Sequence, residues 1–233
     1  NSAFAADIFK FERIFPALQQ PWYFDTPNGI AVDEYGFVYL VDTDNNRIQK
    51  YSIDGQFIAK WGGFYQPHGI VTDKMGFVYV TDSGNHRIRK FTTDGDFVRE
   101  WKTDGFHTGI TIDRKNFIYT IRTDDLCVYK YTSEGSFIKK WQMFNEEVTA
   151  DIHLLIGIAA DDKDFIYVSD IQNHLIRKFT ADGDFIIQWG GKRRYSGTIG
   201  ICQQVLLLIG MGMFMFVMII MTEFRNSIRM EIL

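Results

Sequence analysis

Short apolar segments rich in β-branched and aromatic residues alternate with turn residues along most of the chain. Four such segments stand in order near its start: Gly29–Asp33, Phe37–Asp42, Arg47–Ser52 and Phe57–Trp61. Their residue types and alternation predict a β-strand for each one. Asp54-Gly55 separates the last two segments, and this dipeptide favours a tight hairpin because it accepts positive φ angles. The pattern therefore predicts a unit of four short antiparallel strands.

The same unit recurs along the chain with a step of 40 residues twice and 48 residues once. The glycine in each predicted first strand keeps this step: Gly29, Gly69, Gly109 and Gly157. The tryptophan that ends each predicted fourth strand also keeps it: Trp61, Trp101, Trp141 and Trp189. Repeated four-stranded units of this period predict an all-β fold, a β-propeller of antiparallel blades. An aromatic residue once per blade is expected to pack between blades rather than to form a ligand cage.

The predicted repeats divide the chain. They cover residues 27–191, as units of about 27–63, 67–103, 107–143 and 155–191. Residues 7–26 are expected to supply a partial N-terminal blade strand. Residues 1–6 are interpreted as a signal-peptide remnant, because Ala3-Phe4-Ala5 fits the pattern before a cleavage site. Since the chain opens on Asn1, we expect a fragment or processed form of an extracytoplasmic protein, either secreted or periplasmic.

Pro27 to Asp33, followed by Asp42, Asn45 and Arg47, resembles an NHL repeat. The second unit, from Pro67 to Trp101, matches equally well. The third unit departs from the pattern, because Arg122, Asp125 and Cys127 stand where Asp, Asn and Arg are expected. The fourth has Leu175 in place of the arginine. Since NHL domains usually close with six blades, the resemblance implies that four in-frame units form an incomplete six-bladed propeller.

The repeated polar residues of these units are predicted to be structural. Asp and Asn side chains satisfy backbone N–H groups in tight turns, and a following arginine can join neighbouring loops. The residues given this role are Asp42, Asn45, Arg47, Asp82, Asn85, Arg87, Asp170 and Asn173.

Binding is predicted on the face where second strands end and third strands begin, together with the propeller axis. Residues that enter the first strands are expected nearest the axis. The candidate binding residues are Asn28, His68, Thr108, Asp44, Asn46, His86, Asp124 and His174.

An enzyme is the main alternative. Peptidyl-hydroxyglycine amidating lyases, which are NHL-like propellers, bind zinc through axial histidines, and His68 in Pro67-His68-Gly69 is similar to such a position. The equivalent residues here are Asn28, Thr108 and Ile156, whereas a catalytic zinc needs three protein ligands. We therefore predict no catalytic residue, no metal and no cofactor. The two cysteines are too few for a disulfide framework or a zinc cluster.

The net charge of the predicted propeller limits which class of partner is expected. Residues 1–191 contain 20 basic and 27 acidic residues, a net charge of −7. An acidic surface argues against nucleic acid. The expected function is a noncatalytic module that binds a protein, peptide or glycan; a lyase or lactonase is the alternative. Open blade edges would favour self-association.

The last 42 residues, 192–233, form an apolar tail. Its uncharged run Val205–Met221 is at the short end of membrane spans, so a membrane-anchored sensor is a further alternative. Methionine has one codon, however, and a reading frame shifted by two bases forces glycine from Met211–Gly212 and valine from Met213–Phe214. The shifted frame permits a sequence in register with Gly36 to Phe57. We therefore interpret the tail as an out-of-frame fifth repeat.

Overall fold

The fold is described from a computed structural model, for residues 23–143, 157–170 and 175–190. These residues form four antiparallel sheets of four strands each, and the predicted all-β propeller is confirmed. The first blade contains β1 (Pro27–Val32), β2 (Val38–Asp42), β3 (Arg47–Tyr51) and β4 (Phe57–Trp61). The second contains β5 (Pro67–Thr72), β6 (Phe77–Asp82), β7 (Arg87–Thr92) and β8 (Phe97–Lys102).

The third blade contains β9 (His107–Ile112), β10 (Phe117–Arg122), β11 (Cys127–Thr132) and β12 (Phe137–Gln142). The fourth contains β13 (Ile158–Ala160), β14 (Ile166–Asp170), β15 (Leu175–Phe179) and β16 (Phe185–Gly190). Within each blade the strands pair in chain order, and the first strands of successive blades lie side by side. Ser83–Asn85 adds one 3-10 turn in the second blade.

The first strand of the first blade is displaced from its prediction. It begins at Pro27, which pairs with Asp42, and its register shifts before Ile30 pairs with Leu40. Asp33 leaves the strand because its carboxylate accepts hydrogen bonds from the N–H groups of Tyr35 and Phe37, at 3.0 and 2.9 Å. These bonds close the turn into β2.

Buried side chains from neighbouring blades form the core. Tyr39, Val41 and Ile48 of the first blade pack against residues of the second, including Val78 and Val80. The same arrangement recurs between the second and third blades and between the third and fourth. Each blade therefore depends on its neighbour for burial of one face, as expected for a repeat fold.

The predicted packing role of the tryptophans is visible at each of these seams. The rings of Trp61, Trp101 and Trp141 lie against glycines of the following blade. A Cβ added at Gly95 would lie 2.8 Å from Trp61 Cε3, so a larger residue there would displace the ring. The glycines therefore allow a large flat ring to cover the adjacent turn.

A buried lysine crosses each of the same seams. Lys50 Nζ lies 4.4 Å from the ring centre of Phe37 and donates a 2.8 Å hydrogen bond to Thr93 O in the next blade. Lys90 lies over Phe77 in the same way and bonds Glu134 Oε1 at 3.0 Å. A desolvated cation–π contact strengthens such a link. The lysine thus joins the inside of one blade to a turn of the next.

No helix among the described residues has the length and apolar character needed to cross a membrane. The run Val205–Met221 lies outside the described residues, and so do residues 7–22 of the predicted partial strand segment, 7–26. The remaining ends of the chain, 1–6 and 192–233, lie outside them as well.

Candidate binding face

One face of the propeller gathers the loops that join second strands to third strands and the connections between blades. This upper face consists of residues 23–28, 42–47, 62–68, 82–87, 102–108 and 122–127. The backbone N–H of Gln66, in a connection, donates to Asn46 Oδ1 at 2.8 Å. The loops of one blade and the connection to the next therefore form one continuous surface.

Asp42 anchors the upper loop of the first blade. Its side chain is completely buried and accepts a 2.7 Å hydrogen bond from Arg47 Nε and a 2.9 Å bond from Asn45 Nδ2. The backbone N–H of Asp25 and the side chain of Gln49 donate two more, at 2.7 and 2.8 Å. A buried carboxylate needs partners of this kind. Asp42 therefore makes its hydrogen bonds with groups of the protein itself.

Asp82 repeats the arrangement in the second blade. It accepts bonds from Arg87 Nε at 2.6 Å, Asn85 Nδ2 at 3.0 Å and the backbone N–H of Tyr65 at 2.7 Å. Burial lowers the pKa of Arg87, but hydrogen bonding to Asp82 and the charges of Asp82 and Glu100 outweigh this, and the net pKa is raised. Arg87 also donates to Gly63 O at 3.2 Å, which joins the loop to the preceding connection.

The candidate binding residues on the loop tips differ in exposure. Asp44 and Asp124 are exposed and occupy the same position in the first and third blades. His86 is exposed, whereas Asn46 is half-buried. The Oγ1 hydroxyl of Thr26 donates to the Asp44 carboxylate, which leaves most of that carboxylate accessible.

The three residues predicted near the axis differ in burial and in hydrogen bonding. Asn28 Nδ2 donates to Thr43 Oγ1 at 2.9 Å. His68 is half-buried, its Nδ1 lies 2.9 Å from Gln66 O, and its ring centre lies 5.1 Å from that of Phe106. Burial lowers the pKa of His68, so its ring is neutral at pH 7. Thr108 is buried with its Oγ1 unpartnered, so it adds nothing to the exposed surface.

The third blade has a different polar cluster at the Asp42 position. Arg122 stands there, with Nη1 3.0 Å from Asp104 Oδ2 and 3.8 Å from Asp125 Oδ2. Its Nε lies 3.5 Å from Asp124 Oδ2. Lys140 Nζ lies 3.0 Å from Asp125 Oδ2. The cluster is thus a set of two cations and three carboxylates.

Tyr129 joins the members of this cluster. Its hydroxyl donates to Asp125 Oδ2 at 2.7 Å and accepts from Lys140 Nζ at 3.1 Å and from Arg122 Nη1 at 3.3 Å. Burial raises the pKa of Asp125, but the bonds from Tyr129 and Lys140 and nearby positive charge outweigh it, so the pKa is lowered. Asp125 therefore remains ionised at neutral pH.

Buried groups lie beside the cluster. His107 is 1% exposed, its ring centre lies 4.8 Å from that of Tyr129, and Nδ1 lies 2.7 Å from Thr120 Oγ1. Its Nε2 is buried without a hydrogen-bond partner. Burial, and then the charge of Arg122, lower the pKa of His107 to about 4. Burial also raises the pKa of the Cys127 thiol to about 11, so neither group ionises near pH 7.

The buried histidine predicts an acid-sensitive fold. His107 has a folded-state pKa of about 4 and a reference value of 6.5, so the unfolded chain binds the proton more readily. The stability that burial of the neutral ring gives is fully present above about pH 6.5 and is lost as the pH falls toward 4. Urea unfolding is measured at pH 7 and at pH 4.5. Between these two pH values the free energy of unfolding should fall by about 2–3 kcal/mol more in the natural chain than in His107→Gln. Equal losses in the two proteins would contradict the assignment.

Sequence reasoning missed four members of the third-blade cluster: Asp104, His107, Tyr129 and Lys140. A signal was available for three of them in the repeat itself. His107 stands where the first two units have Pro27 and Pro67. Asp104 stands in place of Phe24 and Phe64, and Tyr129 in place of Gln49 and Arg89.

Some candidate residues lie beyond the described structure. His174 and Asn173 fall outside the described residues, and so does the side chain of Asp170. Within the described ranges, no group of three or more His, Cys, Asp or Glu side chains is arranged to hold a metal ion.

A protein-family model matches part of the first two repeats. The NHL repeat model matches residues 24–51 and 64–91, which lie in the first and second blades. No curated protein matches the chain.

Solved structures share the fold. Virginiamycin B lyase from Staphylococcus aureus is similar with a TM-score of 0.58 and 18% identity, over 75% of this chain and 58% of that one. A chain of a nidogen/laminin complex has a TM-score of 0.59 and 20% identity, over 72% and 64%. Kuenenia stuttgartiensis hydrazine synthase has a TM-score of 0.57 and 10% identity, over 79% and 52%. The chain thus spans between 52% and 64% of these structures.

Proposed function

We propose that this propeller, which matches the NHL repeat model over residues 24–51 and 64–91, is a noncatalytic module that binds a partner protein or peptide through its upper face. The proposal rests on the internal hydrogen bonding of the repeated polar residues. Asp42 and Asp82 are buried and bonded within the protein, so they hold the loops. The tips of these loops stay exposed, and rigidly held loops with free tips suit recognition.

Exposed groups on the same face support a protein or peptide partner. Tyr23 and Tyr65 are 86% and 54% exposed, and the exposed acidic residues Asp44, Asp104 and Asp124 lie in loops of the same face. Aromatic side chains are enriched at protein interfaces because they bury a large area at little entropic cost. A mixed aromatic and acidic surface therefore favours a polypeptide surface over a nucleic acid.

Site-specific photo-crosslinking tests the proposal. A photoreactive residue placed at the exposed Gln66 on the upper face should form a discrete adduct in the cells that produce the protein. The matched position is Met75, which is 69% exposed in a turn between first and second strands, on the opposite face. Adducts from Met75 alone, or from neither position, would contradict the proposal.

An enzyme of the lyase or lactonase type is the second candidate. It is favoured by the fold shared with virginiamycin B lyase and by His68, which is half-buried at the start of the first strand of the second blade. Opening of a cyclic ester substrate by the natural chain, and its loss in His68→Ala, would support this candidate. Export from the cytoplasm, and a membrane-anchored sensor based on Val205–Met221, remain proposals that fractionation of the producing cells would test.

A further inference from the structure

We propose that the third-blade cluster is a binding site for a lysine or arginine side chain of the partner. This cluster site consists of Asp104, Arg122, Asp124, Asp125, Tyr129 and Lys140, with His107 buried beside it. The inference rests on the proposed function, because it assigns the site and the partner chemistry within the same upper face.

The cluster site is confined to one part of the third blade. Six of the positions that differ there from the first two blades belong to this group: Asp104, His107, Arg122, Asp125, Cys127 and Tyr129 replace Phe, Pro, Asp, Asn, Arg and Gln or Arg. Two framework contacts of the blade are kept. Tyr119 donates to Asp113 at 2.7 Å as Tyr39 does to Asp33, and Lys130 bonds Ala181 O at 2.9 Å. The six replacements therefore lie together at the upper end of a blade that keeps these contacts.

Cross-strand pairing brings these replacements together. Arg122 lies opposite His107 on one side and opposite Cys127 on the other. Directly opposite residues in antiparallel strands share a face of the sheet. Three strands thus present their altered residues in one row, and Asp104 from the preceding connection completes the group.

The charges of the cluster site favour a cation. Asp104, Asp124 and Asp125 face two cations, Arg122 and Lys140, so one negative charge is in excess. Two of the three donors of Lys140 are engaged by Asp125 and Tyr129. A ligand carboxylate would enter beside three carboxylates, whereas an ammonium or guanidinium group would supply the missing positive charge.

The carboxylates also keep free acceptor capacity. The Asp104 side chain is 81% exposed and has one contact with Arg122, and Asp124 is 43% exposed with one contact at 3.5 Å. An ionised carboxylate offers about four acceptor sites. Both groups can therefore accept hydrogen bonds from a lysine or arginine that enters from solvent.

His107 gives a second, independent indication of a ligand. Buried polar atoms in proteins almost always have a partner. Nε2 of this ring has no partner of good hydrogen-bond geometry, although a backbone hydrogen bond with Asp104 raises the pKa of the ring, and the buried Oγ1 of the adjacent Thr108 has no partner. The ring packs on Tyr129. An unsatisfied group at this place is expected where a bound group or an associated water completes the hydrogen bonding.

The test is selection of a displayed library of random seven-residue peptides on the full chain, followed by titration of enriched peptides. Lysine and arginine should be enriched over their frequency in the starting library. Asp104→Asn combined with Asp124→Asn should weaken binding of an enriched peptide by at least about tenfold. Both residues are exposed, so the double variant is expected to fold, and its urea unfolding curve checks this.

Asp96→Asn is the matched control, because Asp96 is an exposed aspartate in a turn between third and fourth strands, on the face opposite the upper loops. This variant should bind the same peptide as tightly as the natural chain. Equal weakening in Asp96→Asn, no basic enrichment, or unchanged binding by the double variant would overturn the inference.

The photo-crosslinking result distinguishes a failure of the cluster site from a failure of the proposed upper-face function. If Gln66 adducts form with the natural chain but the cluster site fails its test, the cluster assignment falls and the upper-face function stands. If Gln66 yields no adduct, the proposed function falls as well.

Discussion

Replacing Asp82 with alanine is expected to lower the free energy of unfolding by about 3 kcal/mol, at the low end of values for breaking a buried ion pair. Asp82 is completely buried and holds three parts of the upper loop through Tyr65, Asn85 and Arg87. Its removal leaves a backbone N–H, an amide and part of a guanidinium group without their acceptor. Arg87 keeps its 2.9 Å contact with Glu100, which limits the loss.

Urea unfolding followed by tryptophan fluorescence measures the effect. Asp96→Ala is the control, because Asp96 is exposed and a surface change of this kind stays within about 0.5 kcal/mol. The double variant Asp82→Ala, Arg87→Met should recover part of the loss, since no uncompensated guanidinium remains. A loss under 1 kcal/mol in Asp82→Ala would show that the carboxylate does not hold the loop.

Replacing Gly69 with alanine is expected to cost about 3 kcal/mol, at the upper end of the usual cost of overpacking. A Cβ at this position would overlap the carbonyl oxygen of Thr108 and lie 2.9 Å from Ile110 Cγ2. Both belong to the first strand of the next blade, and a backbone atom cannot move aside as a flexible side chain can. The first strands of the second and third blades would have to separate.

Gly62→Ala is the matched control for this substitution. The nearest atom to a Cβ at Gly62 is Asn46 O at 3.5 Å, an ordinary contact, so its stability should change by less than about 0.5 kcal/mol. The same unfolding measurement compares the two variants. Similar stabilities for Gly69→Ala and Gly62→Ala would mean that the blades are not packed as closely as the structure has them.

The fold followed from local features of the sequence because a propeller repeats one local unit. Asp54-Gly55 and the recurring tryptophans are enough to set the hairpins and the period. The start of β1 at Pro27 was not predictable in this way. It depends on a register shift against β2, in which one extra residue of β1 interrupts the alternation of side chains, so an alternating pattern does not extend the strand back to Pro27.

The site was predictable to a smaller extent. The predicted structural role of Asp42 agrees in kind with its buried bonds, because Asx turn chemistry is local to the sequence. The cluster site involves Asp104, Tyr129 and Lys140, which come from one connection and two different strands. Cross-strand register decides their proximity, and spacing along a single strand does not contain it. The burial of Thr108 depends likewise on how closely neighbouring first strands approach.

The seams described above also bear on how such a chain can change. Trp101, Lys90 and Lys130 attach the third blade to its neighbours through contacts with turns between third and fourth strands. These turns lie on the face opposite the upper loops, and substitutions in the two regions are expected to contribute additively where they share no partner. The upper loops of a blade can therefore change in sequence while these contacts between blades are kept. Transplanting the six altered residues of the third blade into the second should transfer binding of a basic side chain to the second blade.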